Sequence, residues 1–501
     1  MLASHYDLAV IGGGVNGAGI ARDAAGRGLS VLLVEQHDLA AHTSSASSKM
    51  IHGGLRYLEH YEFGLVRKAL QEREVLLASA PHIIRPLRLV MPHDAGQRPA
   101  WMIRLGLFLY DHLARRERLP GSGGVAFHRH PAGTGLKPDF PRGFVYSDAW
   151  VQDARLVVLN AVDACERGAD IVTRTALVSA RRRADAWLLD LRAADGAVHS
   201  VQARLVVNAA GPWVGTLLGG PLGVATRHAL RLVKGSHIVV PRLFDHDFGY
   251  LFQNPDGRVV FALPFEERFT LIGTTDVDYD GDPAQAAISA EEVDYLCAAV
   301  NRYLARPVTP AQVVWTFAGV RPLLDDAANN AARVTRDYRL ELDETGAPVL
   351  SVFGGKLTTY RKLAEQAVDR IVPRLGGGAA WTAGAVLPGG DIEGGDLPAF
   401  EARLRRQYPF LAPALARRLA ASYGTRALRL LNGIDSAAAL GEPVVADLYP
   451  CELCYLVQHE FAHTAQDILW RRTHLGLTAS PDAAARLEAW LSSVEGLQKT
   501  V

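Results

Sequence analysis

No stretch of this chain reaches the roughly 18 uninterrupted apolar residues that a membrane-crossing helix needs, so no spanning segment is expected. Cysteine is scarce too, with four in 501 residues, too few for a disulfide framework. Cys451 and Cys454 are spaced C-x-x-C, but no second pair completes a zinc site, and they lie in a helical stretch rather than after a thioredoxin-like strand. They read as reduced, packed thiols. Net charge is also missing: 53 Lys and Arg balance 53 Asp and Glu, so no whole-molecule field attracts nucleic acid. The local clusters Arg115-Arg116, Arg181-Arg182-Arg183 and Arg471-Arg472 read as solvated ends of elements. There is no internal repeat, no low-complexity tract and no signal-peptide pattern, since the first apolar run is followed at once by glycines. A cytosolic protein is expected, or one that lies on a membrane face.

What is present points first to the N-terminus. Leu8 to Ile11 is a short apolar run that breaks into glycines and re-emerges as a helix with Ala18, Ala21 and Ala25 on one face. Gly12, Gly14 and Gly17 fit G-x-G-x-x-G, where the glycines allow a tight turn, a close phosphate and close helix packing. The helix N-terminus adds free N–H groups and a positive dipole end. A second strand, Ser30 to Val34, ends in Glu35. A carboxylate there can accept hydrogen bonds from an adenosine ribose and disfavours a 2′-phosphate. The unit therefore reads as a site for an adenine dinucleotide, FAD or NAD, rather than NADP.

The rest of the chain is long enough for two or three domains. The run His42 to Lys49 is rich in small hydroxyls, after the second strand, where open α/β sheets bind ligands. A helix is expected at about 63–80 and another at about 153–167. Residues 100–113 are apolar nearly all round and end in arginines, which suits either a core or subunit-packing helix or one lying in a membrane surface. Residues 120–141 read as a long surface connection. Trp187 to Leu191 and Val198 to Val201 read as a small meander, and Arg204 to Val207 as a further buried strand before Asn208-Ala209-Ala210-Gly211. From about 230 to 320 short β segments imply an inserted, mostly antiparallel substrate domain. Val349 to Phe353 leads into Gly354-Gly355-Lys356 and a helix, a return to the first sheet. Repeated contact of one sheet with a long cofactor suits FAD. Glycine-rich linkers at 376–378 and 388–390 precede a helical region with no strand signal.

The segments GGGVNGAGIARDAAGRGLSVLLVE, SSKMIHGGLRYLE, NAAGPW, RLVKGSHIVV, AGVRPL, SVFGGKLTTYRKLAE and CYLVQHEFAHTAQDILWRRT, in this order, resemble the FAD-dependent glycerol-3-phosphate dehydrogenases of the bacterial aerobic, quinone-reducing type. The resemblance spans almost the whole chain, although the C-x-x-C is not a feature of that family. It implies an α/β fold: a Rossmann-like FAD-binding domain with an inserted antiparallel-sheet substrate domain, as in D-amino-acid-oxidase-like flavoproteins, plus a C-terminal all-helical domain. The expected division is 1–388 for the oxidoreductase region and 389–501 for the helical domain. Within the first, about 1–80, 150–230 and 320–375 would bind FAD, and about 81–149 and 231–319 would form the cap. It also implies oxidation of sn-glycerol 3-phosphate to dihydroxyacetone phosphate in glycerol catabolism. Electrons would pass to ubiquinone or another membrane quinone, in a homodimer peripherally bound to the inner face of the cytoplasmic membrane.

The substrate needs forks for a phosphate, a proton acceptor and a hydride acceptor. Arginine suits phosphate because it donates two parallel hydrogen bonds. Arg56, Arg321 and Arg336 lie in the segments that match the family's site, with Tyr57, Thr274 and Thr275 as further pocket residues. Lys356 follows two glycines and would stabilise charge on the reduced flavin or touch a substrate oxygen. His237 is the candidate proton acceptor, because its ordinary pKa lies near neutrality, with Arg321 as the competitor for activating the hydroxyl. Besides Gly12, Gly14, Gly17 and Glu35, the cofactor contacts expected from the resemblance are Asn16, Thr43, Ser44, Ser45, Ser47, Ser48, Val178, Ala210, Gly211, Gly354, Gly355, Lys356, Leu357 and Thr358. Competing readings are an oxidase of the same fold acting on an amino acid or sarcosine, an oxygen-using glycerol-3-phosphate oxidase, and a non-catalytic flavin-binding protein.

Overall fold

The computed structural model describes residues 2–94, 96–226, 228, 230–324 and 338–498. Two sheets dominate it. The first has the order Arg339–Asp343, Val349–Phe353, Val198–Asn208, His5–Ile11, Val31–Val34, Asp170–Val172. Its four inner strands are parallel, and their apolar runs are buried on both faces, as a sheet covered by helices requires. The helix Val15–Gly26 lies against Asp153–Glu166 and Tyr360–Leu375. Small residues permit that approach: a Cβ on Gly19 would lie 2.8 Å from the Tyr360 ring. The second strand of the expected meander and the later buried strand are one continuous strand, Val198–Asn208. Val198 to Ala203 pairs antiparallel with Trp187–Ala193, and Gln202 to Asn208 pairs parallel with His5–Ile11.

The second sheet is ten-stranded and mostly antiparallel, with one parallel pairing, Gly249–Gln253 beside Ile84–His93. The strand Leu230–Pro241 lies between Phe269–Gly273 and Trp315–Leu324. One face of the sheet is covered by the helix Ala290–Asn301, packed through Leu296 and Val300 against Val90, Ile238, Tyr250 and Ile272. The other face looks toward the first sheet across the cavity described below. The stretch 120–141 is not bare connection, since Gly123–Ala126 adds a short strand to Arg142–Val151.

The helix Ala100–His112 narrows the alternative left open by sequence to a subunit-packing or a membrane-surface helix. Leu107 and Tyr110 are buried, but Trp101 is 66% exposed, Phe108 56% and Leu105 51%, and Tyr61 on the neighbouring segment is 81% exposed. It is not a core helix.

Residues 397–498 form helices with their own core, in which Phe400, Leu404, Leu419, Tyr423, Leu456 and Leu487 meet. Among the described residues this region has no strand, only an isolated bridge between Val445 and Leu448. Two buried ion pairs and a half-buried one tie it to the first sheet's layer. Arg155 donates to both carboxylate oxygens of Glu460, with its Nη2 at 2.9 Å from Oε1. Arg472 donates to both oxygens of Asp38 at 2.7 and 2.8 Å, and Arg174 donates to Asp467 at 2.6 Å. Burial pushes the Cys451 thiol up to about 11, which keeps it a packed thiol rather than a reactive thiolate.

Candidate active site

The glycine turn is held by contacts that admit no side chain. Gly12 has φ +115°, and a Cβ on it would lie 2.5 Å from the Ala209 carbonyl oxygen. A Cβ on Gly17 would lie 1.9 Å from the Gly12 oxygen, which is how helix and strand come so close. Gly14 precedes the helix Val15–Gly26 and brings no capping side chain. The Val15 N–H donates to the Ser44 hydroxyl at 3.0 Å, so the hydroxyl loop folds over the helix N-terminus.

Two cavities meet at this turn. One, of about 270 Å³, runs from Gly12 past Glu35, Thr175 and Leu177 to Ala210, Gly211 and Trp213. The other, of about 380 Å³, runs from Gly14 and Asn16 past Ser47 and Ser48 to Gly354, Gly355, Lys356, Leu357 and Thr358. Gly14, Thr43, Ser44, Ala209, Gly211 and Pro212 line both. The result is one bent trough with a helix N-terminus at its elbow, which fits a long dinucleotide whose pyrophosphate sits midway. Asn16 also suits a ligand: its Nδ2 donates to the Gly354 oxygen at 3.2 Å, while its buried Oδ1 has no partner among the described residues.

Several of the expected cofactor residues play a different part. The Glu35 carboxylate accepts the Gly13 N–H at 2.6 Å and the His37 N–H at 2.8 Å, so it first fixes the glycine turn. Burial pushes its carboxyl up, opposed by those two N–H groups. Ser45 lies outside both cavities and donates to the His42 carbonyl. Gly17 lines neither cavity and makes the close helix–strand packing expected of it. Val178 lies at a bulge between Leu177 and Ser179, and its neighbours Thr175 and Leu177 line the trough instead. Arg336 lies outside the described residues.

The wider cavity draws together Arg56, Tyr57, His237, Thr274, Arg321 and Lys356 from both sheets. Lys356 Nζ sits 4.0 Å over the Tyr57 ring. Arg56 reaches across the mouth and donates to the Gly257 carbonyl at 2.8 Å. Arg321 Nη2 donates to the Thr275 oxygen at 2.9 Å and pairs with Asp276 at 2.8 Å. Gly235 makes room for it, since a Cβ there would lie 2.4 Å from that Nη2.

His237 is buried and stacked on Phe317, with ring centroids 4.8 Å apart. Its Nε2 shares a hydrogen bond of 2.9 Å with the Ser48 hydroxyl, and its Nδ1 has no partner among the described residues. Burial, then the charges of Lys49 and Arg321, hold its pKa well below the usual 6.5. The ring is therefore neutral at ordinary pH and open to a proton.

Sequence reasoning missed the braces. Asp276 orients Arg321, and the buried pair Lys49–Asp153, at 2.8 Å, fixes the loop that carries Ser48. Glu292 accepts from Ser236 at 2.9 Å and Thr275 at 2.7 Å, and pairs with Lys234 at 2.9 Å. It also completes a capping box with Ser289 at the start of its helix, and that Ser-x-x-Glu spacing was a visible signal.

The family of FAD dependent oxidoreductases matches residues 7–361 of this sequence. The chain belongs to that family. The C-terminal domain of alpha-glycerophosphate oxidase matches residues 380–495. The chain is 55% identical to a glycerol-3-phosphate dehydrogenase of Pseudomonas aeruginosa over 495 residues, 98% of this chain and 96% of the relative. It is 50% identical to a D-erythritol 1-phosphate dehydrogenase of Brucella abortus, over 95% of this chain and 96% of that one. A solved glycerol-3-phosphate dehydrogenase from Bacillus halodurans, complexed with FAD, superposes with a TM-score of 0.76 at 28% identity, over 98% of this chain and 94% of that one. FAD is thus the cofactor, and the arrangement is that of a FAD-dependent oxidoreductase with an added helical domain.

Proposed function

We propose that this chain oxidises sn-glycerol 3-phosphate at C2 to dihydroxyacetone phosphate and passes the electrons to a membrane quinone, as a step of glycerol catabolism. The observation that carries the reading is the meeting of Arg56, Arg321 and Lys356 with a neutral, buried His237 in one cavity beside Gly354-Gly355. A phosphorylated secondary alcohol needs that set, whereas a protein that only stored FAD would need none of it. A carboxylate substrate, as in amino-acid oxidases, would call for fewer cations.

FAD, when bound, supplies the acceptor for the hydride. The protein's own groups do the rest. Arg56 and Lys356, at the Tyr57 side of the cavity, bind the phosphate as charge-assisted donors. Arg321, held by Asp276 and the Thr275 carbonyl, orients the reacting hydroxyl. His237 accepts the hydroxyl proton at Nε2 once the substrate hydroxyl displaces that of Ser48 there, while stacking on Phe317 fixes its ring plane. Positioning and proton transfer together lower the barrier more than either alone.

The proposed location is a membrane face. The exposed Trp101, Leu105, Phe108 and Tyr61 form an apolar patch beside the segment Leu55–His60 that lines the cavity mouth. Among the described residues no helix is long and apolar enough to cross a membrane, so the patch would lie on the surface rather than span it.

The test is anaerobic addition of glycerol 3-phosphate to the yellow holoprotein. Bleaching of the flavin absorbance supports the reading, and a persistent yellow colour with FAD bound defeats it. Reoxidation by a soluble short-chain quinone far faster than by dissolved oxygen supports quinone as the acceptor; the reverse makes the protein an oxygen-using oxidase. The Brucella relative makes a four-carbon polyol phosphate the second substrate to offer.

A further inference from the structure

One row of residues crosses five neighbouring strands of the second sheet. Phe317 pairs with His237, His237 with Gly273, Gly273 with Phe261, and Phe261 with Leu251. Directly paired residues of antiparallel strands put their side chains on one face. His237, Phe261 and Leu251 all line the cavity from that face. Gly273 opens the row: a Cβ there would lie 2.0 Å from His237 Cδ2, so only a glycine lets the imidazole lie across the strand. Beside the Ser48, Thr274 and Arg321 that also surround the proton acceptor, the strands Val259–Phe265 and Gly249–Gln253 therefore present an apolar wall to the cavity, which Val259 and Met50 extend. Of the groups that would hold a phosphate, Lys356 sits over the Tyr57 ring and Arg56 reaches the Gly257 carbonyl, at the turn end of these two strands rather than at their His237 end.

We propose that Phe261, backed by Leu251, is the specificity-determining residue of this site and selects a three-carbon polyol phosphate over longer ones. This rests on the proposed function and names its substrate class more closely. With the phosphate on the cations and the reacting carbon at His237, each added CH(OH) unit of a longer polyol is pressed against the Phe261 ring and the Leu251 side chain. Neither can hydrogen-bond a hydroxyl. A hydroxyl taken from water without a partner is penalised, but an apolar wall rejects an added hydroxyl only by about 10²-fold. Discrimination of that order is expected, not absolute exclusion.

The test compares kcat/KM of the holoenzyme for glycerol 3-phosphate and for erythritol 1-phosphate, with flavin bleaching as the readout. A titration of the oxidised flavin spectrum with each compound gives binding apart from turnover. Wild type is expected to favour the three-carbon substrate by roughly 10²-fold. Phe261→Asn should shrink that ratio at least fivefold, chiefly by improving the four-carbon substrate, in binding as well as in kcat/KM. Leu251→Asn, one strand further, should act in the same direction and decides the matter if Phe261→Asn fails to retain FAD. Unchanged ratios in the variants that hold FAD overturn the proposal, as does a wild type that prefers erythritol 1-phosphate. Failure of both polyol phosphates to bleach the wild-type flavin is a different outcome and overturns the proposed function itself.

Discussion

His237 combines burial, two nearby cations and stacking on Phe317, and each affects its chemistry differently. Burial and the charges of Lys49 and Arg321 depress its pKa below 6.5, so it is proton-free on binding substrate but a weaker base than a solvated imidazole. His237→Ala should slow flavin reduction roughly 10²-fold or more in stopped-flow; retention within a few-fold would remove it from the proton-accepting role and leave activation of the hydroxyl to the charged Arg321. The same shift gives a pH prediction. The folded pKa lies below the unfolded one, so under pH 6.5 the unfolded chain binds a proton that the native ring refuses. Stability should therefore fall as pH drops below about 6.5 and level off only below the folded pKa, with this contribution removed in His237→Ala. Flavin reduction should stay flat through the neutral range and decline only well below pH 6.5.

At the scale of elements, the glycine turn and the exposed helix make separate predictions. The Cβ of Gly17→Ala would meet the Gly12 carbonyl oxygen at 1.9 Å, with backbone rather than a flexible side chain in the way. The helix Val15–Gly26 must then lift from its strand, and the substitution should lower bound FAD per chain, read from visible absorbance after gel filtration. The helix Ala100–His112 turns Leu105 and Phe108 to solvent and Leu107 inward. The double variant Leu105→Glu, Phe108→Glu should release the protein from anionic vesicles in a flotation assay while leaving flavin reduction intact. Leu107→Glu would instead put a charge into the core and test folding.

At the scale of the molecule, the helical region is joined to the cofactor-binding layer by buried charges. The side chains of Arg155 and Glu460 are almost wholly buried. Arg155→Met leaves Glu460 in the seam without its bidentate partner and should cost about 3–5 kcal/mol in urea unfolding. Pairing it with Glu460→Leu should recover most of that loss, since two apolar side chains leave no charge uncompensated. Arg472 and Asp38 join the same layers just beyond Glu35, so docking of the helices also fixes the loop beside the narrower arm of the trough.

Local physics made part of this protein legible in its sequence. A glycine that must turn at Gly12, an apolar strand that must be buried at Leu8 to Ile11 and a strand–glycine return at Gly354-Gly355 carry their reasons within a few residues. So the sheet, the turn and the candidate residues Arg56, His237, Arg321 and Lys356 could be named from short segments. Other features depend on groups hundreds of positions apart. Nothing near Ser48 in sequence says that it meets His237, nothing near Glu35 says that its carboxylate closes on Gly13 and His37, and Phe261 becomes a wall of the cavity only through the register that sets it beside Gly273. Which face of residues 100–112 is wet was likewise undetermined, because a helix apolar all round gives periodicity nothing to choose between. Sequence determined the kinds of element and the chemistry available; only packing decided which side chains share a cavity and which ion pairs lose their water.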